Sequence, residues 1–369
     1  EASLRSITDH VYFWIETDLE YQPEDLENLA LKFENKIYPT NRTYFGSEWT
    51  PGVDGDPHLY IVYVHGLGKH IAGVFISRDE YNPLVSEYSN AHELFLINSD
   101  TVDLGEDYIF GTLAHEFQHM IQWYQDQNET TWISEGLSEL AIYLNGEEVS
   151  SDRIFIRNTD IQLTNWPDES LETLPHYGAS FLFLTYFLDR FGEAGIKMLV
   201  AESADDLQGV DDVLKEIGAE DPMTGLKVTA DDLFSDWVVT NYLQDTNVGD
   251  GRFAYQNYPE APHAEATETI SRCKGNSIVR DVSQYGADYI RITCPGDYLL
   301  HFEGSTEAQV LPMNPFSGNH AFWSNRGDES DMMLTREFDF LDYSGPLNLT
   351  FQTWYDLEAD YDYAYLEIS

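Results

Sequence analysis

Leu113-Ala114-His115-Glu116-Phe117-Gln118-His119 decides how this chain is read. It places H-E-x-x-H inside a helical pattern, with Phe110, Leu113, Phe117, Met120 and Tyr124 marking one apolar face. At 3.6 residues per turn, His115 and His119 leave the same side of the helix about 6 Å apart, so both imidazoles can reach one metal ion. Glu116, one step round the helix, can touch a water bound to that ion. Taken alone, the pattern also fits two histidines facing solvent.

The next helical pattern, from about Trp132 to Leu144, strengthens the metal reading. It contains Trp132-Ile133-Ser134-Glu135-Gly136-Leu137-Ser138-Glu139, an acidic pair at i and i+4. A turn of about ten residues lets the second helix fold back on the first and brings Glu135 to the two histidines. Two His and one Glu hold zinc and leave a fourth position for water, as in a catalytic site rather than a closed structural one. Glu139, one turn further on, can accept the outer N–H of a ligand histidine and fix its tautomer, or it can be a surface carboxylate.

These residues resemble the gluzincin metallopeptidases, in which one helix gives two His and the next gives Glu. The Trp132-x-x-Glu135-Gly136 wording is similar to that of aminopeptidase-type and hyicolysin-like members. The resemblance implies a zincin-like catalytic domain, zinc at His115, His119 and Glu135, Glu116 as general base, Glu139 behind the ligands, and a protein or peptide substrate. The His119-to-Glu135 gap is shorter than in the thermolysin and aminopeptidase branches, which keeps Glu139 open as the alternative third ligand. Gluzincins commonly use a later His or Tyr as oxyanion donor, and His176 and Tyr177 are the candidates here; each also fits as a helix-entry or core residue. The tail segments Phe322–Asp328, Leu334–Asp339 and Trp354–Tyr365 are similar to the β-rich C-terminal region of immune inhibitor A metallopeptidases. The catalytic motif departs from that family, lacking the Gly and Asp expected soon after the second His.

Outward from the motif, the expected fold class is α+β: a mixed sheet plus a helical lobe over 1–262, then an antiparallel β-sandwich over 263–369. Short alternating runs at Val11–Ile15, Leu59–Val64, Gly73–Ile76 and Leu94–Ile97 read as strands, interrupted by a helix from about Pro23 to Ile37. Leu94–Ile97 is the strand expected to hold an extended peptide. Helices are expected from about Tyr177 to Phe191, ending at Gly192, and after a Thr229 cap. Beyond a linker at Tyr258–Glu268, strands are expected at Tyr289–Thr293, Tyr298–Phe302, Leu334–Phe340, Leu347–Trp354 and Tyr363–Ile368. The last pattern runs nearly to Ser369, leaving a continuation of the chain open.

Sixty-six acidic against nineteen basic residues give a formal charge of -47, which repels phosphate backbones and anionic membranes, so no nucleic-acid partner is expected. Such a surface suits high salt and equally an extracellular protein that loads calcium. Candidate calcium ligands are Asp356, Glu358, Asp360 and Asp362 in the tail and the loop Trp49–Asp56. No stretch is long and apolar enough to span a bilayer. The chain opens on Glu1 without an apolar leader, from which a removed signal or pro-segment and a secreted or cell-surface location are expected. Cys273 and Cys294, the two cysteines, are expected to form a disulfide. Sequons stand at Asn41, Asn128 and Asn348. An extracellular binding or adhesion protein with a structural or inactive zinc site, and a zinc hydrolase acting on another acyl group, would share many of these features.

Overall fold

The computed structural model describes residues 1–167, 171–273, 277–297, 299–305, 311–324, 332–357 and 362–368. A five-stranded sheet carries β1 (Ala2–Ile7), β2 (Val11–Glu16), β3 (Leu59–Val64), β4 (Gly73–Phe75) and β5 (Leu94–Asn98) in the order β1-β2-β3-β5-β4. β2, β3 and β5 run parallel, while β1 and β4 pair antiparallel at the two edges. The sheet is therefore mixed, and the alternation in β2 and β3 is literal: Val11, Phe13, Ile15, Leu59, Ile61 and Tyr63 are buried and their neighbours half-buried.

Between β2 and β3 lie α1 (Pro23–Lys32), a π-helical stretch (Phe33–Ile37) and α2 (Tyr38–Phe45). The expected single helix thus continues past Ile37, with Pro39 tolerated in the first turn of α2, where no N–H is required of it. Next come α3 (Tyr108–Gln125) and α4 (Thr131–Leu144), joined by residues 126–130, a shorter turn than the sequence suggested. The helical lobe is completed by α5 (Asp152–Phe155), α6 (Leu174–Val200), α7 (Asp206–Glu216) and α8 (Ala230–Leu243). Gly192 interrupts α6 with φ 70°. Thr229 caps α8 in a reciprocal box with Asp232.

Phe117, inside the H-E-x-x-H stretch, ties the sheet to the lobe. Its ring lies 5.5 Å from Phe33 and stacks on Tyr38 at 5.4 Å, and Phe33 in turn meets Phe13 and Phe95 of the sheet. Phe117 is about 200° round α3 from each histidine, so burying it aims His115 and His119 the other way. Asn41 Nδ2 donates to the Ala114 carbonyl of the same helix at 2.8 Å. That side chain is fully buried, which removes the first sequon as a glycosylation site. In the lobe, the rings of Trp132, Phe183, Trp237 and Phe155 pack in succession from α4 through α6 to α8 and α5.

The first compact unit runs past the 262/263 linker to Gly296, because Ala264 N donates to Asn241 O and Tyr289 OH to Val238 O, both at 2.7 Å. It includes β6 (Glu268–Ile270) and β7 (Ile290–Ile292), which pair parallel, and the Cys273–Cys294 disulfide. The second unit, Asp297–Ser369, contains no strand among its described residues. Alternation orders side chains but supplies no partner for the backbone, and Leu299, Phe302, Phe322, Leu341 and Ile368 stand exposed there. Tyr298 and residues 325–331 and 358–361 of the strand and tail patterns lie outside the described residues. Among the described residues, no helix is long and apolar enough to cross a membrane.

Truncating Phe117 to Ala is expected to cost about 3–5 kcal/mol, through lost burial plus the cavity between Phe33 and Tyr38. Denaturant midpoints measure this; a loss under about 1 kcal/mol would contradict the anchoring role.

Candidate metal centre

α3 and α4 bring three ligand-type atoms to one point. His115 Nε2 and His119 Nε2 are 3.0 Å apart, and Glu135 Oε2 lies 3.3 Å from the first and 3.5 Å from the second. All three atoms fall within 4.8 Å of one another. Glu135 Oε2 is sealed from solvent and has no hydrogen-bond partner. A buried carboxylate oxygen left in that state is costly unless a cation meets it, and two nitrogens with one oxygen suit zinc while leaving a coordination position over. The residues present therefore fit the ion.

The outer nitrogens fix the tautomers. His119 Nδ1 lies 3.1 Å from Ser134 Oγ and 3.2 Å from Ser138 Oγ. Ser138 spends its proton on Gln118 Oε1 at 2.6 Å, so its oxygen accepts from Nδ1–H and leaves Nε2 with its lone pair toward the centre. His115 Nδ1 faces Glu139 Oε1 at 3.6 Å, and Glu139 Oε2 accepts from Ser151 Oγ at 2.7 Å. Glu139 thus stands behind a histidine, on the side away from the point where the three ligand-type atoms converge.

Burial favours a neutral His115, yet the carboxylates of Glu135 and Glu139 raise its pKa well above the ordinary value. Burial would lift Glu135 as well, but the imidazoles of His119 and His115 hold it well below the ordinary carboxylate range. Both shifts express one attraction, between clustered carboxylates and whatever positive charge sits among them. Burial pushes the Glu116 carboxyl up, with the two imidazoles opposing. Its Oε2 accepts from Phe75 N at 2.8 Å, which ties it to β4.

Two glycines allow these approaches. A Cβ on Gly73 would sit 2.8 Å from Glu116 Cγ and from Thr112 Cγ2, so only glycine lets β4 lie this close to α3. A Cβ on Gly136 would sit 2.8 Å from Ser180 Cβ and Leu184 Cδ1, so α4 presses on α6 one residue after Glu135. The free sheet edge beside Glu116 is β4; β5, the strand expected to hold a peptide, is interior because β4 covers it.

α6 brings Tyr177 to the centre, its ring 6.5 Å from that of His115. Burial and the nearby carboxylates of Glu135, Glu139 and Glu116 raise the Tyr177 pKa, which keeps the phenol protonated. His176 is not brought there by any contact. It is buried against Trp166, its Nδ1 lacks a partner, and burial lowers its pKa. Sequence reasoning missed Ser134, Ser138, Gln118, Ser151 and the two glycines; the Ser134/Ser138 pair, at the same i, i+4 spacing as Glu135/Glu139, was the available signal. In the loop Trp49–Asp56, Asp54 accepts from Tyr60 OH and Asp56 from Tyr12 OH, and both meet histidines. Glu358 and Asp360 of the tail lie outside the described residues.

No family model matches the chain. It is similar to the neutral metalloprotease ShpI of Staphylococcus hyicus, with 26% identity over 183 residues covering 43% of this chain and 41% of that protein. The chain thus spans less than half the length of this relative. The likeness is distant and partial, and it points to the metallopeptidases.

Glu135→Ala is expected to abolish stoichiometric metal, whereas Glu139→Ala weakens affinity about 10- to 100-fold, as for a residue behind a ligand. Metal content after dialysis against a graded chelator separates the two; the reverse order would make Glu139 the ligand.

Proposed function

We propose that this chain is a secreted zinc-dependent endopeptidase of the gluzincin type, with zinc held by His115, His119 and Glu135. The observation that carries the reading is the convergence of those ligand atoms within 4.8 Å beside the buried carboxylate of Glu116. The likeness to a neutral metalloprotease supports peptide bonds as the substrate class. The disulfide is consistent with export.

Zinc bound at this site supplies Lewis acidity, which makes a water nucleophilic near neutral pH and polarises the scissile carbonyl. Glu116 acts as the base. It takes the proton of the attacking water and returns it to the leaving amine. Its bond from Phe75 N keeps one carboxylate oxygen fixed while the other exchanges the proton. Tyr177, kept protonated, donates to the developing oxyanion. Ser134, Ser138 and Glu139 hold the two imidazoles in register. An extended peptide adds to the free edge of β4, pairing by its backbone. Calcium is a candidate second ion.

Glu116→Gln keeps the side-chain shape and removes the base. It is expected to retain bound zinc and lose casein hydrolysis by about 10²-fold or more; full activity in this variant would remove the enzyme reading. Tyr177→Phe is expected to lower kcat about 10- to 10³-fold with KM little changed. Steady-state kinetics on one peptide measures this, and an unchanged kcat would take Tyr177 out of the reaction.

A further inference from the structure

The chain that forms edge strand β4 follows α3 from Glu116 to a pair of aromatic rings. A Cβ on Gly73 would sit 2.8 Å from Thr112 Cγ2 and Glu116 Cγ, and Phe75 N donates to Glu116 Oε2. Beyond the 3-10 turn Ser77–Glu80, the Tyr81 ring meets that of Trp123 edge to face, with centroids 6.0 Å apart and planes at 76°. Trp123 comes seven residues after Glu116, which puts it about 20° round α3 and about 10 Å along its axis. It therefore stands on the side of α3 that faces β4, one turn past His119.

Both rings keep open surface, Trp123 being half-buried and Tyr81 37% exposed. Tyr81 is nonetheless held by its backbone. Ser89 Oγ donates to the Tyr81 carbonyl and accepts from Ala91 N at 2.9 Å. Asp79 Oδ1 accepts from Asn90 N at 3.0 Å and from Asn90 Nδ2 at 2.9 Å, and His92 N donates to the Asp79 carbonyl at 3.0 Å. The neck of the connection from β4 to β5 is thus closed by its own polar groups, with Ala91 kept at φ 54°, where a residue with a Cβ seldom sits. Much of the ordering cost of the ring pair falls on folding, which leaves less to be lost when a ligand arrives. The acidic residues next to it, Asp79 and Glu80, are 2 and 4% exposed, so they are withdrawn from a cation arriving from solvent. What the pair offers is aromatic surface, which suits an apolar or aromatic side chain.

We propose that Tyr81 and Trp123 form a substrate subsite for an apolar or aromatic side chain lying two or three residues from the bond that is cut. This rests on the peptidase reading and on pairing of the peptide with the free edge of β4. The span of about 10 Å from Glu116 to Trp123 equals roughly three residues of extended chain at about 3.3 Å each. A peptide that presents its carbonyl beside Glu116 therefore brings a side chain two or three positions away to the rings.

The test uses dye-labelled peptides that differ only in carrying Phe, Ser or Lys at each position in turn. Binding to the zinc-loaded Glu116→Gln protein is measured by fluorescence anisotropy, with and without Tyr81→Ala or Trp123→Ala added, and cleavage by wild type locates the cut bond. Phe is expected to bind about tenfold or more tighter than Ser at one position, two or three residues from that bond. In both added variants the ratio falls toward one while zinc stays bound. Tyr81→Ala removes a ring from an exposed turn, so it carries the test even if Trp123→Ala disturbs α3. Absence of a Phe preference, a stronger preference for Lys, or a Phe preference that survives Tyr81→Ala would overturn the assignment. Selective binding that needs both rings, in a chain that cuts none of the peptides, would remove the peptidase reading and leave the ring pair as a peptide-binding site.

Discussion

The approach of two imidazole nitrogens and one carboxylate oxygen to within 4.8 Å is the contact the rest of the fold serves. No such cluster forms by itself, because each group would be better solvated alone. The protein pre-assembles it by packing on the opposite faces of the helices. Phe117 is buried among Phe33 and Tyr38, which fixes the roll of α3, and Gly136 lets α4 settle against Ser180 and Leu184, which fixes Glu135. Side-chain entropy is thus lost on folding, and the three groups are held in place by the packing of their helices.

Much of this was legible in the sequence. H-E-x-x-H within a 3.6-residue period gave the facing histidines, and Trp132–Leu144 read as a helix carrying Glu135, within a residue of the observed Thr131–Leu144. Strands at Val11, Leu59, Gly73 and Leu94, the break at Gly192 and the Thr229 cap followed from local chemistry that tertiary packing did not override. Strict alternation and helix capping are short-range signals, which is why they survive.

The parts that were not legible depend on long-range order. Leu94–Ile97 read as the peptide-binding strand because it lies shortly before the metal helix in sequence, but strand order is a property of the whole sheet and puts three-residue β4 at the edge. Both His176 and Tyr177 fitted the oxyanion donor, and only packing across the lobe tells them apart, with the Tyr177 ring 6.5 Å from that of His115 and His176 set against Trp166. The serines behind His119 are invisible without the crossing of α3 and α4, because either helix alone shows them merely as polar positions. Over 263–369 alternation was read as an antiparallel sandwich, but pairing partners are not encoded in a period of two: β6 and β7 pair parallel, and the described residues of Asp297–Ser369 form no strand.

Acidic charge enters this fold in two ways. Most of the -47 lies on residues that water can solvate, whereas a few carboxylates are buried with oxygens left open. At Glu135 the open oxygen faces two imidazoles, and there the proposed chemistry can be read directly from the ion. X-ray absorption at the zinc edge of the metal-loaded protein is that measurement. The account predicts a zinc with only nitrogen and oxygen neighbours at about 2.0–2.2 Å, two of them with the outer-shell scattering of imidazole. A zinc surrounded by six oxygens, or one showing fewer than two imidazoles, would contradict it.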